Sequence, residues 1–393
     1  MTDDIVRGSD RREFLTRAGL AGLGATAVGG LLAERATAAG KAPAGRGKPA
    51  FDLPGEASLG GNISKSVWYW INVSDLDRAI EFYEKTWPVK RAEEMNGPAQ
   101  AFPSLGIARG QFKARLMRDP QPFQGAGILL VQWLDPTPVG SPYKEANHVG
   151  WYRQHASASQ TGQTARYEAA LAAGGRPYGP PSAIPIRDDL TIYSFAFRDP
   201  DGTTLEYTGP LDPTPDGPPD TNTGPNVNCR DIQRSFKFYS QVMGFDMQIR
   251  LNPSQPQAAT NGSLGDTIRT PKGDIWTGLV DFDAAIMVPR GDSRNSVDLL
   301  EWQLPGGYGK PYSQYNNLGA MNLAWEVNSV QVVYEKLHRL LKNPRKYLMG
   351  PPETWDLGDF GTRKVLNVKD PDGVYLQFVE KVQSTDPTPL EVH

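Results

Sequence analysis

Hydrophobic and polar positions alternate along this chain in a way that repeats. Val67-Trp-Tyr-Trp-Ile-Asn-Val73 is aromatic and β-branched and predicts a strand. Ser74-Asp75 then offers an N-cap, and Leu76, Ala79, Ile80 and Tyr83 fall on one stripe at helical spacing. Gly127 to Leu134 is an apolar run that predicts a buried strand. Asn147 to Arg153 predicts another strand, and Thr164 to Gly174 a helix stopped by glycine. Thr191 to Phe197 and Thr203 to Tyr207 flank the turn Asp199-Pro-Asp-Gly202, in which Pro sets φ, Asp bonds nearby backbone and Gly takes φ > 0.

The pattern then starts again. Asn226 to Tyr239 repeats Ile71 to Tyr83, with Asp, Arg, Phe and Tyr at the same offsets. Ser296 to Pro305 repeats 127–136. Met321 to Val327 and the helix from Val330 repeat the start of the second unit, and Val368 to Phe378 repeats the hairpin as Asp370-Pro-Asp-Gly373. The chain therefore predicts four β-α-β-β-β units in an α+β protein, taken as two tandem domains at 62–208 and 225–381. The Pro/Gly-rich stretch 209–224 reads as a linker, 39–61 as a flexible lead-in and 382–393 as a tail.

Composition changes this picture little. The chain has 393 residues and a net charge of −3, which gives no reason to expect nucleic acid or an anionic membrane as partner. A single cysteine, Cys229, excludes an intramolecular disulfide and a thiolate metal cluster. His155 and His338 read as solvated residues outside any site. The N-terminus matters more. Arg11-Arg12-Glu-Phe14-Leu15 precedes a Gly/Ala-rich apolar run too short to span a bilayer, and Ala36-Thr-Ala38 offers a cleavage site. Residues 1–38 resemble a twin-arginine export signal, which implies a periplasmic or extracellular protein with no membrane span after cleavage.

The helix pattern Val73-x-Asp75-x-x-Arg78 to Phe82-Tyr83 and the hairpin Asp199-Pro-Asp-Gly202 to Glu206 each occur twice, in register. In this the chain resembles the vicinal oxygen chelate superfamily of glyoxalase I, extradiol dioxygenases and bleomycin-resistance proteins. The resemblance implies paired units whose sheets curl into a ligand cup. It also implies, in the metalloenzymes, up to four metal ligands on the first and last strands of the paired units. Carried over by position, the first domain offers Trp68, Gln132, His148 and Glu206. The second offers Gly224 or Asn226, Glu301, Asn322 and Gln377, a set without histidine and so without a metal.

Two readings of the first set stand. In one, His148, Glu206 and Gln132 hold a divalent Fe, Mn, Zn or Ni ion, or His148 and Glu206 act as an acid–base pair, in a lyase, isomerase or dioxygenase. In the other, a metal-free cup binds a small aromatic or oxygenated molecule against Trp68, Trp70, Tyr152 and Gln132, as in sequestration and resistance proteins. Pairing of the domains within one chain and across a homodimer are both open at this stage.

Overall fold

The computed structural model describes residues 58–120, 126–187, 190–210, 220–251, 257–258, 267–290 and 296–381. The stretch expected to be an export signal, most of the lead-in, the tail and the middle of the linker lie outside the described residues. The four predicted units are all present. Their helices are Leu76–Thr86, Gln160–Ala172, Ile232–Lys237 (continued by Phe238–Val242) and Val330–Leu340. Each begins on a short polar side chain that accepts a backbone N–H of the first turn: Asp75 from Arg78, Ser159 from Gly162, Asp231 from Arg234 and Ser329 from Val332. The expected linker 209–224 is strand at both ends, in Thr204–Pro210 and Thr221–Cys229.

The sheets do not join the units in the order the chain presents them. One sheet runs from unit 4 into unit 1: Glu353–Asp356, Thr362–Lys369, Tyr375–Glu380, Gly319–Val327, Ile63–Asn72, Gly127–Asp135, Ile107–Arg118, Lys90–Met95. The other runs from unit 3 into unit 2: Phe245–Leu251, Leu279–Pro289, Val297–Leu304, Thr221–Cys229, Gly150–Ser157, Thr204–Pro210, Leu190–Arg198, Arg176–Pro177. The seams are antiparallel pairs of first strands, Ile63–Asn72 with Gly319–Val327 and Thr221–Cys229 with Gly150–Ser157. Neither 62–208 nor 225–381 therefore builds a sheet of its own, and the ring Trp68, Gln132, His148, Glu206 is divided between two sheets.

Crossing connections hold this arrangement. Residues 136–149 and 305–318 run against each other, bridged at Val139–Asn317 and His148–Tyr308. The Tyr143 N–H donates to Tyr312 Oη at 3.1 Å, the Tyr312 N–H donates to Tyr143 Oη at 2.8 Å, and the two rings stack with centroids 4.0 Å apart. His148 stacks on Tyr143 at 3.9 Å and presses so close to Gly309 that a Cβ there would meet its Nε2.

The motifs that recur most plainly work on the helix side. Arg78 donates to Asp201 at 2.6 Å, and the Ser74 N–H donates to the same carboxylate at 2.8 Å. Arg234 and the Arg230 N–H repeat this with Asp372. The hairpin's other carboxylate, Asp199, accepts the N–H groups of Asp201, Gly202 and Thr203, while Gly202 takes φ 105°. Burial, then the neighbouring Asp201 charge, pushes Asp199 up to about 6, and the same two causes push Asp370 up to about 7. The helix arginine and the turn aspartate are thus a clamp between units 1 and 2 and again between 3 and 4. One core lies on this side, shared by all four helices and both sheets, with Tyr69, Leu130, Tyr207, Leu299, Trp325 and Phe378 among its buried residues.

Candidate functional site

The two sheets are curled, and their faces away from the helices form two cups. Strand alternation decides what points into each. In the unit 2–3 cup, Leu205 and Tyr207 go to the helix-side core, so Glu206 between them goes to the cup. His155 is its register partner on the neighbouring strand, and Asn226 is the register partner of Asp298. The matching register pairs in the unit 1–4 cup are Ala324 with Gln377 and Trp70 with Leu129.

These four repeat-equivalent positions have opposite character. In the unit 1–4 cup they read Trp70, Leu129, Ala324 and Gln377. The cup is closed by packing: Trp70 lies edge-on to Phe112, Tyr315 and Trp355, and Trp133 and Phe102 fill in behind. Trp68 and Trp70 are 2% and 1% exposed. The Trp70 and Trp133 indoles both donate to Asn72 Oδ1, at 2.7 and 3.1 Å, and Asn72 donates to the carbonyls of Tyr315 and Asn317. Trp70, expected to line a ligand site, is at the core of a filled one, and Trp68 packs toward its edge, against Phe360.

In the unit 2–3 cup the positions read Asn226, Asp298, His155 and Glu206. Arg153, two residues before His155, donates to Glu206 Oε2, and Ser194 Oγ donates to Glu206 Oε1 at 2.6 Å. His155 stands between two carboxylates. Its Nε2 is 3.2 Å from Glu206 Oε2, an ion-pair contact off the hydrogen-bond line, and its Nδ1 is 3.2 Å from Asp298 Oδ2. Burial opposes protonation of His155, but Asp298 and Glu206 outweigh it and raise the imidazolium to about 9. Burial likewise opposes ionisation of Glu206, but Arg153, then His155 and Ser194, hold the carboxyl at about 2. Near neutral pH the row is therefore cation, anion, cation, anion. Asn226 Oδ1 and Asp298 Oδ1 are buried acceptors with no hydrogen-bond partner among the described residues. Tyr152, 2% exposed, packs with Phe282 and Trp302 beneath the row, with the Arg153 guanidinium 4.6 Å over its ring.

Three further expectations are corrected by these placements. His148 lies outside the cup: its strand begins at Gly150, and its ring sits in the connection, against Tyr143 and Tyr308. Burial lowers its pKa. The histidine of the cup is His155, read from sequence as solvated, because the strand runs to Ser157, further than its composition suggests. Gln132 points to the helix side, where its Oε1 accepts the Leu76 N–H at 2.9 Å, and Glu301 does the same for Ile232. Both cap a helix start and ligate nothing. Glu206 and Tyr152 are where the sequence places them with respect to the cup, though the cup is shared with unit 3.

A divalent ion suits the residue types in the unit 2–3 cup but not their arrangement. The imidazole divides its two nitrogens between separate carboxylates, and the Arg153 guanidinium takes the oxygen of Glu206 that faces it. Among the described residues no three His, Cys, Asp or Glu side chains converge on a point an ion could take.

Residues 224–378 match the family model described as Glyoxalase/Bleomycin resistance protein/Dioxygenase superfamily. Among solved structures, a single-residue variant of glyoxalase I from Zea mays is similar at 15% identity and a TM-score of 0.55, covering 83% of this chain and 97% of that one. Glyoxalase I from Zea mays is similar at 16% identity and a TM-score of 0.52, covering 80% and 92%. At this identity the likeness shows the fold, an α+β arrangement of glyoxalase-like tandem units with curled sheets. No curated protein matches the chain significantly in sequence. No helix among the described residues is long and apolar enough to cross a membrane.

Proposed function

We propose that this is an exported small-molecule-binding protein that takes a small oxygenated, ring-bearing ligand in the cup of units 2 and 3 and does so without a metal. The observation that carries it is the exchange at the four equivalent strand positions, where Trp70, Leu129, Ala324 and Gln377 fill one cup and Asn226, Asp298, His155 and Glu206 make the other polar. Buried charge is expensive, and a chain that needs only a stable sheet has the apolar solution in its own other half. In the polar cup Arg153 and His155 are donors, and the unpartnered Asn226 Oδ1 and Asp298 Oδ1 accept, so a ligand with hydroxyl groups satisfies both. Tyr152, Phe282 and Trp302 supply a floor for an apolar ring.

A second reading rests on one further observation. His155 lies 3.2 Å from a carboxylate oxygen of Glu206 and 3.2 Å from one of Asp298, and an imidazole set against carboxylates is a group a lyase or isomerase uses to move protons on a bound molecule. Turnover of the bound ligand, lost in His155→Gln but with binding retained, would select this reading over simple sequestration.

The test is calorimetry of the protein against hydroxylated aromatics, with catechol as the first probe. Wild type and Gln377→Ala are expected to bind alike, and Glu206→Gln and His155→Gln to bind at least about tenfold more weakly, since each removes a charge-assisted contact. Equal binding by all four proteins would sink the assignment of the cup. Stoichiometric Mn, Fe, Ni or Zn after metal loading and gel filtration would sink the metal-free part. The export part is tested by fusing residues 1–45 to a folded reporter: the fusion should leave the cytoplasm and the Arg11→Lys, Arg12→Lys form should stay behind.

A further inference from the structure

The unit 1–4 cup is filled at its centre but open at one edge. There a cavity of about 110 Å³ remains, with Trp68, Val379 and Phe360 on its apolar side and Lys65, Arg118, Arg363, Glu326 and Glu380 around it. The charged residues differ in whether they are already engaged. Arg118 is held by both oxygens of Glu93, at 2.9 and 3.0 Å. Glu380 accepts the Val330 N–H at 3.0 Å and pairs with Lys364 at 3.4 Å. Glu326 accepts the Ser64 hydroxyl at 2.8 Å.

Arg363 stands apart. It donates to the carbonyl of its neighbour Thr362, at 2.9 Å, and no carboxylate among the described residues pairs with it. Its guanidinium lies 4.4 Å over the Phe360 ring, and Phe360 in turn stands edge-on to Trp68 at 6.3 Å. A partly buried guanidinium without an anion is uncommon, because desolvation disfavours the charge; here that desolvation lowers its pKa. The Trp68 indole N–H, at the base of the same cavity, is also buried without a partner. The groups around this cavity without a charged partner among the described residues are Arg363 and Lys65, with the Trp68 N–H, against one carboxylate, Glu326, which accepts the Ser64 hydroxyl.

We propose that the edge of the unit 1–4 cup is a second binding site, for a small monocarboxylate with an apolar or aromatic body. The carboxylate accepts from the Arg363 guanidinium, with Lys65 at the rim, and the body lies against Trp68, Phe360 and Val379. At about 110 Å³ this cavity is smaller than the about 150 Å³ that encloses a benzene ring, so a one-ring acid or a short-chain acid is only partly enclosed here and its remainder lies in the open mouth. The site is separate in sheet and in chemistry from the polar cup, and neither depends on the other.

Benzoate titrated into the full chain is the test, read by calorimetry and by the indole N–H signals in a ¹H–¹⁵N spectrum, with Trp68 assigned from Trp68→Phe. Binding with a dissociation constant of about 1 mM or tighter is expected, with the Trp68 indole signal moving. Arg363→Gln keeps a polar side chain of shorter reach and removes its charge, and should weaken benzoate about tenfold or more. Benzamide and benzylamine should not bind. The proposal is overturned if benzoate does not bind, if Arg363→Gln binds it as wild type does, or if benzylamine binds in its place. Glu206→Gln should leave benzoate binding unchanged, which separates failure here from failure at the polar cup.

Discussion

The two cups are one architectural element used twice, and they spend their inward-facing positions differently. In units 1 and 4 the concave face closes over Trp68, Trp70, Phe112, Trp133 and Trp355, with Asn72 tied to the Trp70 and Trp133 indoles. In units 2 and 3 the same face carries Arg153, His155, Glu206 and Asp298 in contact with one another, over a much smaller apolar base. The strand pairing is equivalent in both, so the backbone does not choose between a core and a site. The side chains at four positions do. A sheet whose concave face is filled gains apolar burial; one whose face is charged must balance its charges locally.

The largest effects should come from reversing each solution. Trp70→Ala would leave a cavity in the filled cup and cost about 3–5 kcal/mol, while leaving catechol binding per folded molecule intact. Glu206→Ala would take away the carboxylate that Arg153 and His155 share, cost about 3–5 kcal/mol, and remove ligand binding as well. Urea unfolding with calorimetry on both variants checks this. If the stability losses come out equal and binding suffers equally in both, the distinction between core and site fails.

pH should come next. For His155 the folded value of about 9 lies above the ordinary 6.5. Its contribution is therefore complete below about 6.5 and is lost as pH rises through 9. For Glu206 the folded value of about 2 lies below 4.5, so its contribution is present above 4.5 and lost as pH falls through 2. Urea midpoints followed from pH 5 to 10 should fall on the alkaline side in wild type and much less in His155→Gln. An unchanged alkaline limb in that variant would show that the imidazolium is not held as described.

Gln377→Ala removes the amide that donates to Asn367 Oδ1 at 2.9 Å and should cost about 1–3 kcal/mol, with no effect on either ligand. His148→Ala is the smallest change. It removes a ring stacked on Tyr143 in the crossing connection and should cost about 0.5–1.5 kcal/mol without altering catechol binding. A loss of binding with little loss of stability would return His148 to the site.

Local chemistry was legible from the sequence by itself. The stripe on Leu76–Tyr83, the caps at Asp75 and Asp231, the turns at Asp199-Pro-Asp-Gly202 and Asp370-Pro-Asp-Gly373, and the fourfold repeat all depend on residues close together in the chain, and the structure has them. Glu206 could be placed on a concave face because a strand alternates with period two, whereas Tyr152 reaches the same face at an irregularity, where Asn226 pairs with Arg153 and Val227 with Trp151. What the sequence could not carry was the partner of each unit. First strands of all four units present similar edges, and only the crossing of 136–149 against 305–318, locked by Tyr143 and Tyr312, sends unit 1 to unit 4 and unit 2 to unit 3. The same tertiary choice decided the site. It separated Trp68 from Glu206 and turned Gln132 to a helix. It also carried the second unit's first strand on to Ser157, which brought His155, from a stretch that looked like a connection, between Glu206 and Asp298. Periodicity is a property of neighbours along a chain, whereas register between strands from different units is settled only by how the whole sheet closes.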